Sequence, residues 1–305
     1  MTNPKIAILI PVHNGLGFTK KCLFSLYNII RRMGDGSSMF AIIVINDGSK
    51  DGTKEWIMAN YPQTEILEGD GNLWWSGGIN RGINHAINEL GCDYTLWWNN
   101  DIHCSTDYFT NLLKIVESSS TDLIAGSKIY FAEEQNRIWS MGGIFDPRSG
   151  KKFTLGMNEA DSESFNVVKD ADWLPGMGTL IHKSVFSKIG QVDEKIFPQY
   201  HGDSDFTFRA KLAGYRIKVF PQLKIWNDKS NSGLQHYNSL RMLLRSLYDV
   251  RSNYHLGKDF RFYRKYARSP LAFKPLFLKY SFYIGGFFKW RILSWIGIEK
   301  ENQVN

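Results

Sequence analysis

Residues 93–101 of the chain have the sequence DYTLWWNND, and this stretch decides the fold. Residues 94–98 are β-branched or aromatic at most positions, which predicts a short strand buried on both faces. Asn99, Asn100 and Asp101 follow at its carboxyl end, where open α/β sheets bind their ligands. The Asp101 carboxylate could hold a divalent cation, but Asn and Asp are also ordinary turn residues, so both interpretations stay open here.

The sequence around this stretch alternates buried strands with amphipathic helices. Strands are predicted at residues 5–11, 40–45, 64–68, 94–98, 123–131, 179–182, 215–219 and 224–226. Pro11 cannot donate to a central ladder, so the first strand is expected to end there. Short connections between alternating strands and helices predict an α/β fold with a Rossmann-like, mostly parallel sheet flanked by helices. A β-rich insertion is expected between residues 133 and 168.

Each of the first four strands is followed by polar side chains. These residues are His13 and Asn14, Asn46 and Asp47, Asp70 and Asn72, and Asn99 and Asp101. The carboxyl ends of parallel strands lie along one edge of a sheet, so the four polar ends together predict a pocket there.

Two later stretches carry further candidate site residues. Gly176 and Gly178 suit a backbone that a ligand approaches closely, although a tight turn before the next strand would use them equally well. Asp203 and Asp205 bracket the start of a predicted helix, where acids also act as caps and interact with the helix dipole. Capping and function both stay open for these two acids.

The composition favours a large folded domain in a reducing compartment. The 305 residues are 43% hydrophobic and 14% aromatic, which is enough for a substantial core. Cys22, Cys92 and Cys104 form no C-x-x-C pair, which argues against a structural metal site. The first apolar run is too short for a signal peptide, and no stretch of about 18 apolar residues predicts a transmembrane helix.

The net charge of +7 is concentrated near the carboxyl end of the chain. Residues 254–291 contain nine basic residues and one acid, so this segment carries +8 and the remainder −1. Many large aromatic side chains lie among these charges. The pattern fits an interfacial segment on anionic lipid, a packed helical lid or, less well because of its apolar density, a nucleic-acid surface.

Several motifs together resemble one enzyme family. They are IPVHN at 10–14, VINDGSKDGT at 44–53, GNLWWSGGINRG at 71–82, the polar end at 99–101, and GDSD at 202–205 with Arg209. In this order they resemble the family 2 glycosyltransferases with the GT-A fold, particularly the bacterial rhamnosyltransferase-like and O-antigen or capsule branch. The resemblance covers roughly residues 4–230. It implies a glycosyltransferase domain at 1–233, and the basic, aromatic pattern beyond it predicts a C-terminal helical, membrane-associating or lid segment at 234–305.

The resemblance also implies roles for individual residues. The nucleotide-sugar donor would lie against Pro11, His13, Asn46, Asp47, Gly78, Asn80, Arg81, Asn99 and Asn100. Asp101 would hold Mg²⁺ or Mn²⁺ on the diphosphate, and Asp203 would be the catalytic base. The acceptor or sugar pocket would include Trp173, Gly176, His201 and Asp205.

The chain departs from the family pattern at several positions. Asn99 stands where the metal motif often has an acid, and Asn46 stands where an acid usually contacts uracil or thymine. Gly202 replaces a frequent Glu before the catalytic Asp. A metal-contacting His is common in the late strand-loop region, where this chain has residues 227–228 and, further on, His236.

The expected function is metal-dependent, inverting sugar transfer from a dTDP- or UDP-linked donor to a lipid-linked glycan. The protein is expected in the cytoplasm, peripheral at the inner face of the cell membrane, without nucleic-acid partners. A dinucleotide-binding oxidoreductase would need G-x-G-x-x-G after the first strand, but residues 13–18 are HNGLGF. A non-catalytic sugar- or nucleotide-binding protein on the same fold is the remaining alternative.

Overall fold

The structure is a computed structural model that describes residues 4–228 and 239–295. The chain divides into two compact units. The first comprises Met1–Ile144 with Phe153–Asn231, and the second comprises Phe145–Lys152 with Ser232–Asn305. The expected boundary at residues 233 and 234 lies outside the described residues and stays a prediction. The hairpin Phe145–Lys152, expected in the first domain, groups with the second unit.

Twelve strands occur in the described residues. They are β1 Ile6–Val12, β2 Phe40–Asp47, β3 Glu65–Gly69, β4 Tyr94–Trp97, β5 Ile102–Cys104, β6 Leu123–Phe131, β7 Ile138–Ser140, β8 Gly143–Phe145, β9 Lys152–Thr154, β10 Lys169–Asp170, β11 Thr179–His182 and β12 Arg216–Asn227. The main sheet has the order β10-β12-β6-β11-β4-β1-β2-β3. Strands β3, β2, β1 and β4 are parallel, and β11 is antiparallel to β4 and β6.

The α-helices alternate with these strands as the sequence predicts. The first unit contains α1 Leu16–Arg31, α2 Thr53–Asn60, α3 Trp74–Asn84, α4 Tyr108–Ser118, α5 Lys183–Ile189 and α6 Gly202–Leu212. The second contains α7 Leu240–Ser246, α8 Leu256–Tyr266 and α9 Lys274–Trp295. The predicted α/β class with a mostly parallel, helix-flanked sheet is confirmed.

Strand β4 is buried on both faces, which explains its sequence. Trp97 and Trp98 are each 0% exposed and point to opposite sides of the sheet. Trp98 packs beside Tyr108 of α4, and Trp97 packs against Phe206 of α6. Both indoles are therefore core side chains that fix the strand leading to residues 99–101.

Two strand predictions near the sheet centre need correction. Strand β1 does not stop at Pro11, because Pro11 pairs with Ile45 of β2 and the strand continues to Val12. Pairing with β4 already ends at Leu9, so the missing N–H of Pro11 breaks no ladder on that side. The two short strands predicted within residues 215–226 form one strand, β12, with an irregularity between Phe220 and Lys224.

Strand β5 is absent from the sequence prediction. It contains only three residues and pairs antiparallel with the far end of β12, with Ile102 opposite Asn227. Such a short strand has no pattern of its own and forms because β12 provides a partner.

The second unit has its own small aromatic core. The ring centroid of Phe145 lies 5.2 Å from that of Phe262, and the Tyr263 hydroxyl donates to the Gly150 carbonyl over 2.8 Å. On α8, the buried Asp259 carboxylate accepts hydrogen bonds from Lys279 and Tyr280 of α9. Within the described ranges, no helix combines the length and the apolar character that crossing a membrane requires.

A buried ion pair anchors helix α6. The Asp205 carboxylate is 0% exposed and accepts a hydrogen bond from Arg209 Nε over 3.0 Å. The same guanidinium donates to the carbonyls of Ile189 and Gln191, each over 2.7 Å. One ion pair thus joins the first turns of α6 to the segment that follows α5.

We expect Asp205→Asn to lower the free energy of unfolding by about 3 kcal/mol, because it leaves the Arg209 charge partly buried without its carboxylate. Urea titration followed by circular dichroism measures this change. Glu134→Gln, which removes an exposed pair with Arg137, is the control and should cost less than about 1 kcal/mol. Equal losses for the two variants would contradict the assignment of Asp205 as the anchor.

Candidate functional site

The loops after β1 and β2 are tied together at the carboxyl edge of the sheet. His13 Nδ1 donates to the Asp47 carbonyl over 2.5 Å, and Asn14 Oδ1 accepts from the Lys50 N–H over 2.8 Å. His13 remains an exposed side chain. These contacts fix one wall of the predicted pocket.

The Asp47 carboxylate holds the start of helix α3. Its two oxygens accept from the backbone N–H groups of Gly71, over 2.7 Å, and Trp74, over 3.1 Å. Asp47 is 5% exposed, and Trp74 has a φ of 56°. A tryptophan with a positive φ has a strained backbone, so the Asp47 carboxylate stabilises an unfavourable turn at Trp74. The structure therefore shows Asp47 shaping this wall, and its expected contact with the nucleotide stays a prediction.

Asn46 is a buried amide with one unused acceptor. Its Nδ2 donates to Glu68 Oε2 over 3.2 Å, whereas its buried Oδ1 accepts no hydrogen bond from the described residues. Glu68 also pairs with Lys54. Sequence reasoning missed Glu68, which stands opposite Asn46 in the register of β2 and β3.

The α3 residues expected near the nucleotide have different surroundings. A Cβ on Gly78 would lie 3.1 Å from the Pro11 Cβ, so this glycine allows α3 to pack closely on β1. Asn80 is buried and binds both the N–H and the carbonyl of Val192. Arg81 is exposed, and hydrogen bonds from Asn72, with a smaller contribution from the Arg81 charge, lower the pKa of Asp70.

The amides after β4 shape their loop. Asn99 Oδ1 accepts from the Trp75 indole N–H over 3.1 Å. Asn100 Nδ2 donates to Thr19 Oγ1 over 3.1 Å at the start of α1. Both amides thus hold Asp101 in place between two helices.

Asp101 has a buried carboxyl group with a perturbed pKa at this edge. Burial and the negative charge of Asp228 raise its pKa to about 6. Its Oδ1 is buried and accepts no hydrogen bond within residues 4–228 and 239–295. The N–H of Asp228 donates to the Asp101 carbonyl over 3.1 Å, because β5 and β12 pair directly beside these residues. Two carboxylates are therefore close together, and one has an unused buried oxygen.

This donor set fits a hard divalent cation. Mg²⁺ and Mn²⁺ prefer oxygen ligands and are commonly bound through one or two carboxylates together with substrate phosphates. No described group of three or more His, Cys, Asp or Glu residues has a metal-binding arrangement, so Asp101 and Asp228 would need ligands from substrate and water. The sequence analysis named residues 227–228 only as a departure from the family pattern, and it did not predict Asp228 as a metal ligand. His236, the other residue weighed there, lies outside the described residues.

Asp203 lies at the start of α6 and holds the loop before β11. Its Oδ2 accepts from the Gly176 N–H over 2.9 Å and its Oδ1 from the Ser204 N–H over 2.7 Å. The Trp75 indole covers Gly176, where a Cβ would lie 2.1 Å from the ring. Contacts therefore run from Asn99 through Trp75 and Gly176 to Asp203.

The segment before α6 is strained and pinned to α3. Tyr200 and His201 have φ values of 60° and 62°, which are uncommon for residues other than glycine. Ser76 binds this segment through its N–H to the Pro198 carbonyl and its hydroxyl to the Phe197 carbonyl. The expected pocket residue His201 is thereby fixed beside Asp203.

Two other residues expected in the acceptor pocket pack within the protein. Asp205 is fully buried in its ion pair with Arg209, so its carboxylate lies in the core and does not line the surface of a pocket. The Trp173 ring lies against Gly143, where a Cβ would come within 2.0 Å of the indole. The half-buried Trp173 side chain thus packs against the backbone of Gly143, and its expected contact with a sugar stays a prediction.

The sequence of the chain is similar to a family model and to known proteins. The model of Glycosyl transferase family 2 matches residues 7–175. The low-salt glycan biosynthesis hexosyltransferase Agl10 of Haloferax volcanii is 25% identical over 186 residues, which cover 59% of this chain and 56% of that protein. An N-acetylglucosaminyl-diphospho-decaprenol L-rhamnosyltransferase of Mycobacterium tuberculosis is 24% identical, with 63% of this chain and 67% of that protein covered.

A solved structure supports the fold. The crystal structure of GalNAc-T7 with UDP, GalNAc and Mn²⁺ superposes with a TM-score of 0.58 at 11% sequence identity, covering 77% of this chain and 45% of that one. The chain thus spans about half the length of Agl10 and of GalNAc-T7. Since the family model matches more than half of the chain, the protein belongs to glycosyl transferase family 2.

Proposed function

We propose that this protein is an inverting glycosyltransferase that moves a sugar from a nucleoside diphosphate to a hydroxyl group of a glycan. One observation carries the proposal: the buried, unused Asp101 oxygen beside Asp228 at the carboxyl edge of the sheet. The contacts from Asn99 through Trp75 and Gly176 connect this acidic pair with Asp203. A metal-diphosphate site and a base at connected positions are what this transfer requires.

Asp101 and Asp228 would hold Mg²⁺ or Mn²⁺. A divalent cation bound there supplies positive charge that offsets the charge of the departing diphosphate. Burial, with a smaller contribution from the charge of Asp228, raises the pKa of Asp101, and a bound cation would favour the ionised carboxylate. Asn99 and Asn100 keep the Asp101 loop in one position through their bonds to Trp75 and Thr19.

Asp203 would be the catalytic base. Its carboxylate accepts the proton of the acceptor hydroxyl as that oxygen attacks the anomeric carbon opposite the diphosphate, which inverts the configuration. The N–H groups of Gly176 and Ser204 each donate to one carboxylate oxygen and so fix its orientation. Each oxygen has two lone pairs, so these bonds are compatible with proton acceptance.

The donor nucleotide is proposed to be a dTDP or UDP sugar. Thymine and uracil share an imide N–H between two carbonyl groups. The unused Oδ1 of Asn46 is an acceptor of the kind that such an imide N–H needs. Glu68 fixes the amide by accepting from its Nδ2, so the acceptor role of Oδ1 is maintained.

The acceptor is proposed to be a lipid-linked glycan in cell-surface polysaccharide synthesis, with the protein cytoplasmic and peripheral at the inner face of the membrane. The similarity to a decaprenol-linked rhamnosyltransferase supports the acceptor class and the rhamnosyltransferase-like branch. The second unit supports the location, because its described residues contain fifteen basic side chains and three acidic ones.

A non-catalytic binding protein on the same fold is the alternative, favoured by Asn99 and Gly202 at positions where the family often has acids. Turnover separates the two functions. The proposed enzyme releases nucleoside diphosphate from a sugar nucleotide when metal and acceptor are present, whereas a binder shows affinity alone.

We expect Asp203→Asn to reduce the rate of sugar transfer by about 10² to 10⁴-fold, because the amide does not accept the hydroxyl proton. Its remaining oxygen still accepts from Gly176, so donor affinity measured by calorimetry should stay unchanged. Asp170→Asn removes an exposed acid of the same unit and is the control. Unchanged turnover in Asp203→Asn would refute the base assignment.

We expect Asp101→Asn and Asp228→Asn each to weaken Mn²⁺ binding in the presence of UDP by about 100-fold, because each removes a carboxylate ligand. Titration calorimetry and the Mn²⁺ electron paramagnetic resonance signal measure this at pH 7.5, above the pKa of about 6 of Asp101. Asp107→Asn, beside α4, is the control and should bind Mn²⁺ normally. Normal Mn²⁺ binding by Asp228→Asn would leave Asp101 as the only protein ligand.

A further inference from the structure

Helix α9 is apolar on two opposite sides. One side packs into the second unit through Leu276 and Tyr280, which are 5% and 7% exposed, and through half-buried Tyr283 and Phe287. The opposite side faces solvent. A helix that is apolar all round is normally covered on every side, so the outer side of α9 calls for a partner.

Five of the six exposed large apolar residues of α9 form one continuous face. They are Phe277, Leu278, Phe282, Phe288 and Ile292, with exposures of 73%, 39%, 75%, 46% and 59%, and the sixth, Trp290, lies outside this face. At 3.6 residues per turn these five positions fall within an arc of about 140°. Three phenylalanines on one face form an outer surface, named here the α9 outer face, and scattered single exposed residues would not produce it.

Two lysines lie within the α9 outer face, and the second unit as a whole is basic. Lys274 and Lys289 are exposed and fall within the same arc. The described part of the second unit has a formal net charge of +12, and the rest of the chain carries −5. On α8, the exposed basic residues are Arg261, Arg264 and Lys265, and Arg268 follows the helix.

We propose that the α9 outer face lies in the surface of a bilayer rich in anionic lipid. Phe277, Phe282 and Phe288 enter the boundary between headgroups and acyl chains, and Lys274 and Lys289 meet the lipid phosphates. Lys279, in the first half of α9, is held by Asp259 of α8, so the opposite side of the helix stays packed on the second unit. The inference rests on the proposed function, in which the acceptor is lipid-linked, and adds which face of which helix meets the lipid.

Charge selects lipid over a second copy of the chain. Two copies joined through the α9 outer face would bring together two units whose described residues each carry a net charge of +12. Repulsion between like charges opposes that contact, whereas the negative surface potential of an anionic membrane favours the same unit.

Vesicle sedimentation with the full chain tests the proposal. The wild type should bind vesicles of phosphatidylcholine with 30% phosphatidylglycerol and bind pure phosphatidylcholine weakly. Phe277→Ser, Phe282→Ser and Phe288→Ser combined should lower the partition coefficient by about 100-fold, because less apolar area leaves water. Lys274→Gln with Lys289→Gln should lower it about five-fold per charge, and 1 M salt should weaken wild-type binding.

The control variant combines Phe24→Ser, Met58→Ser and Phe153→Ser, three first-unit residues exposed by 63%, 58% and 51%. It should bind vesicles like the wild type. Wild-type binding by the α9 triple variant, or equal wild-type binding to neutral vesicles, would overturn the proposal. Self-association without vesicle binding, lost in the α9 triple variant, would also overturn it, in favour of a second copy.

The readout is independent of catalysis. A correctly folded α9 triple variant should still transfer sugar to a water-soluble acceptor, and its circular dichroism spectrum should match the wild type. Vesicle binding by an Asp203→Asn protein should also be unchanged. Vesicle binding without any transfer activity would refute the proposed enzymatic function and support the membrane-binding proposal. Transfer activity without vesicle binding would support the enzymatic function and refute the membrane-binding proposal.

Discussion

The contact of the Trp75 indole with Gly176 and Asn99 is the interaction on which the site depends. The ring covers Gly176 so closely that no side chain fits there, and its N–H donates to Asn99. One indole therefore sets the position of the loop that ends in Asp101 and of the loop held by Asp203. The proposed metal-binding and proton-accepting groups come from distant parts of the sequence, and this packing gives them a fixed separation.

The order of strands and helices was predictable because each element has its own local pattern. Strands β6 and β11 begin and end where their apolar runs predict. Strand β5 and the position of Asp228 were not predictable from the sequence. Both depend on the antiparallel pairing of β5 with β12, which joins segments far apart in the chain. Residue type identified Asp101, but only the fold identifies the second carboxylate beside it.

The sequence also left capping and functional roles open for several acids, and hydrogen-bond partners decide how each carboxylate is used. Asp205 meets a buried guanidinium and anchors α6, whereas Asp203 two residues earlier meets two backbone N–H groups at the edge. Asp47 meets the N–H groups of Gly71 and Trp74 and stabilises a strained turn. Partners such as Gly71, Trp74 and Gly176 come from other segments, so sequence spacing alone does not identify them.

Helix α9 shows why the aromatic segment admitted both a lid and a membrane surface. Its apolar residues lie on two opposite sides, so they largely cancel in any measure of one-sided amphipathicity, and the sequence pattern favours neither role. Burial separates the two sides: Leu276 and Tyr280 pack inward while Phe277 and Phe282 face solvent. Packing within the second unit thus fixes the rotation of the helix, and that rotation is what presents an apolar, positively charged surface to the outside.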